Sequence, residues 1–113
     1  MIHLVTAIIK PHMLGEVRDA LRANGAFGVT VSEVQGFGRQ GGHSETFRGS
    51  EYTIDFVPKV KVEVLIESSN VDTIISAIAA AAQTGKIGDG KVWSVSVDKL
   101  LRVRTGEMDE DAL

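Results

Sequence analysis

The stretch Ile2 to Ile9 is apolar and largely β-branched, the pattern of a strand covered on both faces in the middle of a sheet. Pro11 suits a first helical turn, where its missing N–H leaves nothing unpaired. Met13, Leu14, Val17, Ala20 and Leu21 then fall on one stripe before Asn24-Gly25 ends the helix. From Val29 to Val34, Val29 and Val31 alternate with Thr30 and Ser32. From Val60 to Ile66 the valines take every second place, opposite Lys61 and Glu63. Both segments predict strands with one wet or interfacial face. Ser69-Asn70 is placed to cap a second helix, in which Val71, Ile74, Ile75, Ile78 and Ala82 keep helical spacing as far as Thr84-Gly85. Val92 to Val97 predicts a last strand, followed by a short extended Arg102-Val103-Arg104 with Val103 facing inward.

The order β-α-β-β-α-β predicts an α+β, ferredoxin-like split βαβ fold: a four-stranded antiparallel sheet with two helices on one face and a long loop between strands 2 and 3. The other face needs a cover. A chain of 113 residues, read as one domain over 1–113, has no third layer to supply one, so a closed homo-oligomer is expected.

Composition narrows the function. With 12 basic and 15 acidic residues the chain is formally −3, against the profile of a general nucleic-acid or membrane-surface binder. The absence of cysteine excludes disulfides, thiolate metal sites and cysteine nucleophiles, and makes a cytoplasmic home the expectation. The longest aliphatic stretch, Val71 to Ala82, is interrupted by Asp72, Thr73 and Ser76 and falls short of the roughly 20 apolar residues a bilayer needs. Met1 to Ile9 leads into Lys10-Pro11 without a basic leader or a cleavage-like site.

The segment of about 36–56 is too long for a plain hairpin, whose turns take about 2 to 5 residues. It holds five of the twelve glycines and the only tyrosine, and with Phe56 it carries three of the four phenylalanines. Folded out and back, about ten residues each way at roughly 3.3 Å apiece would reach about 33 Å from the sheet. Phe37 and Phe56 read as core residues at the strand ends. Phe47 and Tyr52, costly to leave in water, read as docking groups on a flexible effector loop.

A second glycine-rich run, Thr84-Gly85-Lys86-Ile87-Gly88-Asp89-Gly90-Lys91, satisfies G-x-x-x-x-G-K but is not a P-loop, because a helix precedes it and a strand follows. By itself it reads equally as an anion cradle or as a plain helix-to-strand connection. Its surroundings favour the cradle: Lys86, Lys91, Lys99, Arg102 and Arg104 face only Asp89 and Asp98 across 86–104. An extended Arg102-Val103-Arg104 would point both guanidinium groups one way, ready to fork onto phosphate oxygens; the alternative is an exposed strand with salt-bridged arginines. The acidic tail, 107–113, reads as a solvated end. Catalytic signals are weak. His3, His12 and His43 lack metal-like spacing, His3 reads as a satisfied core residue, and Glu45 and Glu51 sit on the long loop, where acid–base geometry is hard to hold.

Several runs carry a family likeness: Gly36-Phe37-Gly38-Arg39-Gln40, Phe47-Arg48-Gly49-Ser50-Glu51-Tyr52, Asp55 to Val60, Thr84 to Trp93, and Arg102 to Glu107. On them the sequence resembles the PII nitrogen-regulatory signal proteins over nearly its whole length. The resemblance implies a non-catalytic homotrimer with ATP or ADP in each cleft between subunits. Gly36, Gly38, Arg39, Gln40, Gly88, Asp89, Gly90 and Lys91 would meet the nucleotide from one side, Arg102 and Arg104 from across the seam, with Thr30 and Leu65 beside the nucleoside. Gln40 would complete a Mg2+ site on the ATP phosphates, and 2-oxoglutarate would bind there with Gln40, Lys59 and Gly88. Output would run through the loop. Arg48 would plug an ammonium-transporter pore, aided by Phe47 and Tyr52. Tyr52 would be modified by a nucleotidylyltransferase, or Ser50 phosphorylated instead, and other nitrogen-assimilation proteins would be controlled too. Nucleic acid is not expected as a partner, and the membrane only through the transporter. Gly41 stands where the family commonly has lysine, Phe47 where it has tyrosine, Leu65 where valine is common, and Ser94 where an aliphatic residue is usual. Two rivals are a small nucleotide-hydrolysing or transferring enzyme on the same scaffold and a structural trimer of the cation-tolerance type. The latter would not explain Gln40, Lys59, Lys91 and the two arginines together.

Overall fold

A computed structural model describes residues 1–38, 43–45, 52–54 and 56–113, with only the backbone described at 43–45 and 52–54. In chain order the elements are β1 (Ile2–Ile9), α1 (Leu14–Ala23), β2 (Thr30–Gly36), β3 (His43–Glu45), β4 (Tyr52–Ile54), β5 (Val57–Glu67), α2 (Val71–Ala82) and β6 (Lys91–Val97). Four strands form one sheet in the order β2-β5-β1-β6, every neighbouring pair antiparallel, while β3 and β4 form a separate two-stranded ribbon. The split βαβ fold of the sequence pattern is therefore the observed one. The ribbon is an addition: His43 lies opposite Ile54 and Glu45 opposite Tyr52, so the long connection pairs out and back.

One sheet face is closed by the helices. Val5, Ala7 and Ile9 of β1 and Val60, Val62, Val64 and Ile66 of β5 pack with Val17 and Leu21 of α1 and Ile74, Ile78 and Ala82 of α2. Register is pinned by this alternation. Slipping β5 by one residue would turn its four core side chains to the other face, each worth about 1.5–3 kcal/mol of burial. The opposite face carries Leu4, Thr6 and Ile8, with Leu65 of β5 and Trp93 and Val95 of β6 in matching register. Trp93 is 43% and Val95 49% exposed, an apolar surface that the described residues leave open.

Several expectations change in detail. Pro11 opens a 3₁₀ turn, Pro11–Met13, that feeds α1. Ser69-Asn70 does not cap α2 through a side chain; a 3₁₀ turn, Ser68–Asn70, leads into that helix. Phe37 and Phe56 are not core residues: they are 55% and 53% exposed and stack edge to face, ring centres 5.4 Å apart, just beyond paired Gly36 and Val57. His3 is only half-satisfied, its Nε2 3.4 Å from Ser96 Oγ and its buried Nδ1 without a partner among the described residues.

The largest departure is at the C-terminal end. Arg102-Val103-Arg104 is not extended, because Gly106 donates to the Arg102 carbonyl at 2.8 Å and bends 103–105 into a turn. Val103, expected to face inward, is 90% exposed at its tip. The acidic tail is not simply solvated either. Leu101 bridges to Met108, Asp109 donates its N–H to the Leu100 carbonyl at 2.7 Å, and Glu110 pairs with the Met1 amine. That pairing raises the amine's pKa, with Glu110 the main cause, and lowers that of Glu110.

Candidate functional site

The carboxyl end of β1, the end of β2 and the starts of β5 and β6 converge at one end of the sheet, because β1 runs antiparallel to both of its neighbours. There they enclose an open cleft of about 880 Å³ whose lining includes Lys10, His12, Lys59, Lys91, Phe37 and Trp93. Among the described residues, three ammonium groups and a histidine thus line the cleft with a single acid, Asp89.

The glycine-rich run 84–91 forms one wall. Its return to the sheet needs glycine at position 90: φ is +101°, and a Cβ there would stand 1.7 Å from the Ile8 carbonyl oxygen. The Asp89 carboxylate is turned into the run itself. It accepts from the backbone N–H of Thr84 at 2.7 Å and of Gly85 at 2.9 Å, and from the Thr84 hydroxyl. Lys10 Nζ lies 3.2 Å from Asp89 Oδ1 and 3.1 Å from Thr84 Oγ1. These donors, the Thr84 hydroxyl foremost and then its N–H, hold the Asp89 pKa well below the usual carboxylate range. The Asp89 N–H turns back toward the Lys86 carbonyl in the turn at 87–88, whereas the Gly88 backbone N–H has no acceptor among the described residues, so the run keeps an amide to offer an anion. Across the cleft, Lys59 Nζ donates to the Gly88 carbonyl.

The structure brings together Gly36, Gly38, Lys59, Gly88, Asp89, Gly90 and Lys91 of the residues singled out in the sequence. Thr30 and Leu65 stand apart on the open sheet face, opposite Glu63 and Leu4. Arg39, Gln40, Phe47, Arg48 and Ser50 lie outside the described residues, as does the Tyr52 side chain; the Tyr52 backbone begins β4. Arg102 and Arg104 are absent from the cleft. Arg102 donates to Glu107 at 3.1 Å and to the Leu113 carbonyl at 2.6 Å. Lys10, His12 and Trp93 were missed as site residues. No motif contains Lys10, and its only signal is its place at the carboxyl end of the central strand. No group of three or more metal-ligating side chains occurs among the described residues, and none of their helices is long and apolar enough to cross a membrane.

Residues 2–107 match the family described as Nitrogen regulatory protein P-II. The chain belongs to that family. It is 54% identical over 110 residues to the nitrogen regulatory protein P-II of Rhizobium etli, covering 97% of this chain and 98% of that one. To the nitrogen regulatory protein GlnK of Escherichia coli it is 53% identical over the same length and the same shares. The crystal structure of Arabidopsis thaliana PII bound to citrate superposes with a TM-score of 0.82 at 38% identity, covering 99% of this chain and 92% of the other. P-II relatives are named as regulators, and this P-II chain is a regulatory protein of nitrogen metabolism, not an enzyme.

Proposed function

We propose that this P-II chain works as a homotrimer that senses ATP or ADP and 2-oxoglutarate, and that its 36–56 segment transmits the result to an ammonium transporter and nitrogen-assimilation proteins in the cytoplasm. One observation carries the reading: an acid-neutralised glycine run with the unpaired Gly88 amide and Lys91 faces Lys59 across a cleft of about 880 Å³. The amide and lysine suit phosphate oxygens, while Phe37, Ile87 and Trp93 supply apolar wall.

Sheet geometry supports a site shared between copies. β6 ends at Val97 opposite Ile2, at the end of the sheet away from the cleft. Arg102 follows from there, in a tail tied to Met1 and to Leu100. Ile2 and Ile8 are roughly 20 Å apart along the strand at about 3.3 Å per residue, so the chain's own arginines start far from its own cleft. A neighbour packed on the open apolar face would bring its Arg102 and Arg104 to the phosphates, and Thr30 and Leu65 on that face would meet the nucleoside.

Lys59 is the cation for a dicarboxylate. Its bond to the neutral Gly88 carbonyl is one that a carboxylate oxygen would replace with an ion pair. The Arabidopsis relative binds citrate, itself a polycarboxylate. Gln40 is assigned the Mg2+ on the ATP phosphates, an oxygen ligand for a hard cation. Arg48 is the transporter-plugging group, and Tyr52 the nucleotidylylation site, with Ser50 as the alternative; added negative bulk there would block insertion.

Titration calorimetry tests the reading. 2-Oxoglutarate should bind with Mg-ATP present and bind far more weakly without it; equal binding in both cases defeats the metal-bridged arrangement. Sedimentation equilibrium should give three chains per particle.

A further inference from the structure

An acid in the wall of a polyphosphate site is a contradiction unless something cancels it. Asp89 is that acid, and its carboxylate is fully engaged: Oδ2 accepts from the Thr84 and Gly85 amides, Oδ1 from the Thr84 hydroxyl and from Lys10 Nζ. Only Lys10 among these partners brings a charge. It comes from a different part of the chain, one residue past β1 and just before Pro11, and with its side chain 19% exposed it ties Thr84 and Asp89 of the run to the end of the central strand.

We propose that Lys10 is a positioning residue for nucleotide binding, acting through Asp89 rather than on the ligand: it neutralises that carboxylate and holds the run so that the Gly88 amide and Lys91 meet the phosphates unopposed. This rests on the nucleotide reading above. Without Lys10, an unbalanced carboxylate would stand within the phosphate site and the run would lose its side-chain anchor to β1, keeping only the close approach of Gly90 and the pairing of Lys91, both at Ile8.

The test is a double-mutant cycle read by ADP titration calorimetry on the full chain, with urea midpoints measured alongside. Lys10→Met should weaken ADP binding by about tenfold or more, as loss of a charged hydrogen bond does, while Lys10→Arg keeps most of the affinity. In an Asp89→Asn background the same Lys10→Met change should alter ADP affinity by less than about threefold, since the charge it cancels is gone. If Lys10→Met alone does not fold, the comparison of Asp89→Asn with Asp89→Asn/Lys10→Met still decides. A full tenfold loss in the Asn background means that Lys10 touches the phosphate itself and overturns the proposal. Equal ADP binding by wild type and Lys10→Met overturns it as well, with the nucleotide reading intact. A wild-type chain that binds no ADP overturns both.

Discussion

Two basic segments, 84–91 and 102–107, look alike in the sequence, each mixing glycine, threonine, cations and an acid. The fold treats them in opposite ways. In the first the acid is turned inward onto Thr84, Gly85 and Lys10, which leaves Lys91 and Gly88 in the cleft wall with the Gly88 amide unpaired among the described residues. In the second the acid is turned onto the cation: Glu107 and the Leu113 carbonyl occupy the Arg102 guanidinium, and exposed Val103 caps the turn. An anion site needs its own acids answered from elsewhere in the fold. The first segment has that answer in place, whereas the second must give up an internal pair before it can grip anything.

The strongest way to break the contrast is at the two glycines that shape the segments. Gly90→Ala drives a Cβ into the Ile8 carbonyl and should cost about 3 kcal/mol of stability, read as a lowered urea midpoint, with nucleotide binding lost. Gly106→Ala, with φ +76° but open space around its Cβ position, should cost about 1 kcal/mol. Similar losses at both sites would mean that the segments are equally constrained. Next in size, Lys91→Ala should weaken ATP binding about 10- to 100-fold by calorimetry, the scale of a lost charge-assisted bond.

A pH series separates the two acids further. The ionised form of Asp89 is the favoured one in the fold, its pKa held down first by the Thr84 hydroxyl, so its stabilising effect is complete above the unfolded carboxylate value of about 3.9 and fades as pH falls through the lower folded value. The difference in urea midpoint between wild type and Asp89→Asn should stay flat from about pH 8 to 5 and shrink below about pH 4. A gap that closes between pH 6 and 7 would point to a different group. Smallest of all, Glu107→Gln removes the charged partner of Arg102, leaving only its bond to the Leu113 carbonyl, and should raise ATP affinity about two- to fivefold at low salt, the worth of an exposed pair, with the gain vanishing at high ionic strength. Tighter binding that persists in high salt would show that Glu107 acts otherwise than by pairing.

What the sequence made legible was local. The alternation in Val60 to Ile66 and the stripe Val71, Ile74, Ile78 fixed strand and helix because each has a short period of its own. The run Thr84 to Lys91 was recognisable because its three glycines fall within six consecutive positions. What escaped depends on partners brought together by the fold. Lys10 meets Thr84 across 74 positions, and nothing near Lys10 announces it. Phe37 and Phe56 resembled core because aromatic residues at strand ends usually are; here the sheet ends beneath them and they cover each other instead. Arg102-Val103-Arg104 alternates like a strand, but three residues are too few to outweigh Gly106, which closes the turn, and Glu107, which pairs with Arg102.

Because the cleft and Arg102 belong to opposite ends of one sheet, a chain in the proposed ring would serve two ligands at once, giving its lysines to one neighbour's arginines and its arginines to the next neighbour's lysines. Damage would therefore be shared in a countable way. Subunits lacking Lys91 mixed with subunits lacking Arg102 would rebuild one undamaged seam in every mixed ring, so two inactive preparations, dissociated and reassembled together, would regain a third of the sites in those rings.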